Sequence, residues 1–113
     1  MTIDDLISFG ANTSEGLKRC LNNEAFYIRM VNKIPCDPNF QKLYDAMAKG
    51  DLEAGFEAAH AIKGAVSNLA LTPLATPVSE LTEILRARQK TDCTALLEAI
   101  RAARNELEAI CAK

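Results

Sequence analysis

The 113-residue sequence has no tryptophan, one histidine, four prolines and five glycines, and only 5% of it is aromatic. A lone histidine cannot supply the ligand set of a histidine-based metal site or complete a hydrolase triad with suitably placed partners. No GxxxxGK(S/T) or GxGxxG loop occurs, so there is no cradle for nucleotide phosphates. No apolar run approaches the ~20 residues of a membrane span. The acidic start Met1-Thr2-Ile3-Asp4-Asp5 lacks the basic-then-apolar order of a signal peptide. A cytoplasmic protein with no membrane contact is expected. Neither sign of charge dominates: thirteen Lys and Arg face fifteen Asp and Glu, a net charge of −2. That balance offers no basic surface for nucleic acid. The four cysteines (Cys20, Cys36, Cys93 and Cys111) are scattered, without the close spacing of a zinc or redox motif. Reduced, chemically idle thiols are the expectation.

What is present is helical. Hydrophobic residues make up 49% of the chain, enough for one globular domain over residues 1–113. Ile3, Leu6, Ile7 and Phe9 have helical spacing, and Gly10 is placed to end that short element. Asn12 with Glu15 opens a second short helix through Leu21. Asn22 or Asn23 caps a third, with Phe26, Tyr27, Met30, Val31 and Ile34 as its apolar side, and Pro35 stops it. Asp37-Pro38 supplies a cap and a first-turn proline for a stripe of Phe40, Leu43, Tyr44 and Met47. Gly50-Asp51 separates that helix from the longest pattern, Leu52, Ala59, Ile62, Val66 and Leu69. Thr72-Pro73 ends it and caps a segment carrying Val78, Leu81, Ile84 and Leu85. Thr91-Asp92 begins the last helix, with Leu96, Leu97, Ile100, Leu107 and Ile110. No segment alternates with period two, so strands are not expected. The fold class is all-α, an antiparallel four-helix bundle with short additional N-terminal helices.

His60 is the one place where chemistry gathers. At about 100° per residue, with His60 at zero, the apolar positions of its helix fall between about 180° and 280°. The histidine therefore points away from the core. Glu53, Phe56, Glu57, Lys63, Gly64 and Ser67 share its face, all within about 60°. Gly64 is the unusual neighbour, because glycine inside a helix costs about 1 kcal/mol relative to alanine. On an outward face it makes sense if something must approach the backbone. Gly55 falls on the inward side, where close helix packing explains it. Neutral imidazole is a nucleophile at pH 7, its unperturbed pKa being ~6.5. The Lys63 ammonium could counter the charge of a phosphoryl group, and Ser67 could donate a hydrogen bond. Glu57-Ala-Ala-His60 is a single Glu-x-x-His match with no second to build a carboxylate-bridged metal site. Glu80 and Glu83 read as solvated carboxylates.

The stretch from Ala59 through His60, Ile62, Lys63, Gly64, Ala65, Asn68 and Leu69 to Leu74 resembles the histidine-containing phosphotransfer (HPt) domain family. The resemblance is specific around His60 and looser over the rest of the chain. It implies a four-helix bundle in which His60 accepts a phosphoryl group from a receiver-domain aspartate and passes it to another receiver. Lys63 would be the charge partner of phospho-His60, Gly64 the clearance for the receiver, and Phe56 part of a docking patch with Glu53, Glu57 and Ser67. The partners implied are receiver domains of a hybrid histidine kinase and a response regulator. The protein would act as a monomer without cofactor, the magnesium lying on the receiver. It would be a phosphocarrier and not an enzyme with an ATP site. The sequence departs from the family at Ala70, where glycine is usual, at Thr82, where glutamate is common, and at Pro77. That proline implies either a separate turn over Pro73–Thr76 before a helix starting at Pro77, or a kinked helix. A helical module that docks on receiver or kinase domains without carrying phosphate is the alternative. A self-contained kinase or metalloenzyme is disfavoured by the missing loop and ligands.

Overall fold

The computed structural model describes all residues, Met1–Lys113, as seven helices with no strand. They are α1 (Ile3–Phe9), α2 (Thr13–Arg19), α3 (Glu24–Asn32), α4 (Asn39–Lys49), α5 (Leu52–Asn68), α6 (Thr72–Arg86) and α7 (Thr94–Cys111). Side chains cap four of the starts. Thr2 forms a reciprocal capping box with Asp5, while Asn12, Asn23 and Asp51 accept the backbone N–H groups of Glu15, Phe26 and Ala54. Each such cap satisfies an N–H the helix cannot, contributing about 1 kcal/mol. Gly10 and Gly50 close α1 and α4 in the left-handed conformation, at φ 107° and 71°.

α4 to α7 form the bundle. α5 packs on α4 and α6, and α6 on α7. The fourth side is closed by Arg101 stacked over the Tyr44 ring at 4.1 Å and Arg104 over Phe40 at 4.7 Å. Arg104 also donates twice to the Pro35 carbonyl, at 3.0 and 2.8 Å. One core of 24 buried residues runs from Leu6 to Ile110, so α1–α3 share it with the bundle. The N-terminal helices seat on the far end of α5. The Tyr27 hydroxyl donates to the Leu69 carbonyl at 2.9 Å, and the Asn12 N–H donates to the Ala70 carbonyl at 2.9 Å. Burial raises the Tyr27 pKa above the usual phenol value.

Several expected boundaries move. α2 ends at Arg19, short of Leu21, because Leu21 and Asn22 turn left-handed (φ 58° and 56°) and the Asn22 N–H returns to the Leu17 carbonyl at 2.7 Å. α4 starts one residue later than the Asp37-Pro38 signal, with the Asp37 carboxylate accepting the Asn39 N–H at 2.8 Å. Thr72 is not a cap: it is the first residue of α6, whose start has no side-chain cap. α6 then runs unbroken through Pro77, with no separate turn over Pro73–Thr76. Ile7 and Phe26 lie outside the core, at 54% and 37% exposed. Each is adjacent to a fully buried residue, Leu6 and Tyr27, and neighbours on a helix point about 100° apart. Thr82 is buried with its hydroxyl donating to the Val78 carbonyl at 2.7 Å. All four cysteines are free thiols, and burial raises the pKa values of Cys93 and Cys111. No helix is long and apolar enough to cross a membrane.

Candidate functional site

α5 carries the site. Asp51 starts it, and Gly55, Ala58, Ala59, Ile62 and Val66 form its buried face. A Cβ at Gly55 would lie 3.1 Å from Met47 Sδ and 3.5 Å from Leu85 Cδ1, so this glycine lets α4 and α6 close on the helix. The opposite face presents His60, which is exposed. Gly64, one turn on, is exposed too, and a Cβ built there would meet nothing within 4 Å. The absent side chain therefore leaves open space beside the imidazole.

The groups around His60 are ordered by contacts within α5 and across to α6. The rings of Phe56 and His60 stack with centroids 5.6 Å apart and planes 13° from parallel. Phe56 is half-buried against the core, which fixes one side of the imidazole. Over the same phenyl ring lie the guanidinium groups of Arg86, at 5.0 Å, and Arg88, at 5.9 Å. Lys63 is half-buried, and its Nζ is 3.5 Å from Oε1 of Glu83. The other oxygen of Glu83 accepts from Arg86 Nε at 3.2 Å. Glu53 and Glu57 are exposed and make no ion pair. Ser67 is half-buried, and its contact is through the backbone: Arg19 of α2 donates to its carbonyl.

The helical period brings His60, Phe56, Lys63, Gly64 and Ser67 onto one face, as their spacing dictates. It does not reveal what arrives from α6. Glu83, which reads as a solvated carboxylate, is the ion partner of both Lys63 and Arg86. The available signal was the Glu83–Arg86 spacing of three, which pairs side chains along a helix. Their register against α5 depends on the turn at Leu69–Leu71.

Chemically, the site offers an exposed nucleophilic imidazole, cations within one turn of it in sequence and across the hairpin, and an unobstructed approach. His60 lines no cavity. The largest, about 520 Å³, lies between Met47–Leu52 and Gln89–Cys93. A molecule reaching His60 therefore meets an open surface and not an enclosing pocket. A family model described as Hpt domain matches residues 36–113. No curated protein and no solved structure matches the chain.

Proposed function

The chain belongs to the Hpt domain family, and on that premise we propose that it relays phosphoryl groups between two receiver domains through His60. Hpt domains are phosphocarriers rather than kinases, they interact with receiver domains, and a phosphotransfer role in two-component phosphorelays follows from membership. A ring nitrogen of His60 attacks the phosphorus of a receiver's aspartyl phosphate. The N–P bond forms as the acyl O–P bond breaks, and the carboxylate leaves with the electron pair. Transfer to the second receiver reverses these steps on another aspartate. Such transfer asks for in-line positioning and charge stabilisation rather than covalent machinery.

The single observation that carries this reading is the exposed His60 beside the open space at Gly64. Lys63 stabilises the added charge, and Phe56, with Glu53, Glu57 and Ser67, forms the contact surface. No cofactor is assigned to this chain; the magnesium that assists transfer belongs to the receiver. The donor is the receiver of a hybrid histidine kinase and the acceptor that of a response regulator, meeting a monomeric carrier in the cytoplasm.

The test is transfer from labelled ATP through a panel of hybrid kinases to wild-type protein and to His60→Gln. Acid-labile label on wild type alone is expected, with thermal stability changed by no more than about 0.5 kcal/mol, because the residue is exposed. Equal labelling of His60→Gln would overturn the assignment. Receiver binding without any label would point to a docking module instead.

A further inference from the structure

His60 reaches α6 through two routes that meet at one carboxylate. Along one, its ring stacks on Phe56, which lies under Arg86, whose Nε is held by Glu83. Along the other, Lys63, one turn after His60, is held by the same Glu83 at 3.5 Å. Lys63 and Arg86 are thus already engaged by a single anion before any phosphoryl group arrives.

We propose that Glu83 is a positioning residue that sets how tightly the site retains a phosphoryl group, by competing with it for Lys63 and Arg86. The proposal rests on the assignment of His60 as acceptor and deepens it. A phosphoryl group on the imidazole brings close to two negative charges to within a turn of Lys63. Both ion pairs of Glu83 are open to water, its side chain being 57% exposed and those of Arg86 and Lys63 51% and 34%. Pairs of that kind are weak, so a dianion can draw the cations away. The carboxylate stays nearby and opposes the second anion. Retention is thereby held down, which suits a group that must leave again.

The test uses the full chain and potassium phosphoramidate, a small donor that requires no partner protein. The imidazole nitrogen attacks phosphorus, the N–P bond to the ring forms, and the donor's P–N bond breaks to release ammonia. With ammonium present the exchange is reversible, and the occupancy of His60 at equilibrium is read by intact mass. Glu83→Gln keeps the side chain's shape and removes its charge. Its equilibrium constant for phosphorylation is expected to rise about two- to fivefold, the scale of an exposed ion pair. In a Lys63→Ala background the same change should produce a smaller rise, which a merely structural role for Glu83 would not predict. Thermal unfolding of each variant checks that it is folded, and Glu83→Ala serves as the second carboxylate deletion. An unchanged or lower constant in Glu83→Gln, or a rise undiminished without Lys63, overturns this proposal while leaving the carrier assignment standing. A wild-type protein that takes no phosphoryl group on His60 overturns both.

Discussion

Gly55 and Gly64 sit in the same helix for opposite reasons. One is filled by neighbours from α4 and α6, and the other faces empty space. Replacing Gly64 therefore meets no steric objection from the fold, and any residue other than proline raises helix propensity there by up to about 1 kcal/mol. Gly64→Gln should keep or slightly raise stability in urea denaturation. It should slow phosphorylation of His60 by a receiver about ten- to a hundredfold, the scale of a small misplacement at a reacting centre. Phosphorylation by phosphoramidate, a donor of few atoms, should be nearly unaffected. Equal slowing with both donors would mean that the glycine acts on the imidazole itself and not on access.

At the scale of elements, the ends of helices separate what the sequence discloses from what it hides. Gly10 and Gly50 mark the ends of α1 and α4 openly, and Asn12, Asn23 and Asp51 mark starts. α5 ends with the same left-handed device but without glycine. Ala70 has φ 55°, its N–H reaches the Ser67 carbonyl at 3.0 Å, and the Leu71 N–H reaches that of Val66 at 3.0 Å. This is a Schellman closure, in which glycine is the usual residue. Leu21 and Arg88 turn in the same conformation, at φ 58° and 56°. Local preference argues against all three. At Ala70 the bonds from Tyr27 to Leu69 and from Asn12 to Ala70 hold the turn from outside, and no local pattern encodes them. Ala70→Gly should relieve the left-handed strain, about 1–2 kcal/mol, less the added freedom of the unfolded chain at about 0.4–1 kcal/mol. A net gain of about 0.5–1 kcal/mol in urea denaturation is expected. A loss would show that the alanine methyl packs. The same turn explains why half of the site was legible. Its α5 residues follow from the helical period alone, whereas Glu83 and Arg86 depend on a register set by a turn that carries no glycine.

For the whole molecule, the distribution of contacts along the chain matters as much as their number. His60, Phe56, Lys63, Glu83 and Arg86 belong to two helices joined only by Leu69–Leu71. The N-terminal helices grip the closed end of that hairpin through Arg19, Tyr27 and Asn12. Their own helices are short, with 7, 7 and 9 residues. Short loop closures form early and long ones late. Native-state hydrogen exchange should find the amides of α5 and α6 opening only with global unfolding, and those of α1–α3 opening at lower free energy. Equal protection throughout would contradict this. Binding loops and lids usually come from the least stable parts of a protein. Here His60 rides on the segment expected to open last. On that expectation His60 is a stationary target, and the motion needed for alignment falls to whatever comes to meet it.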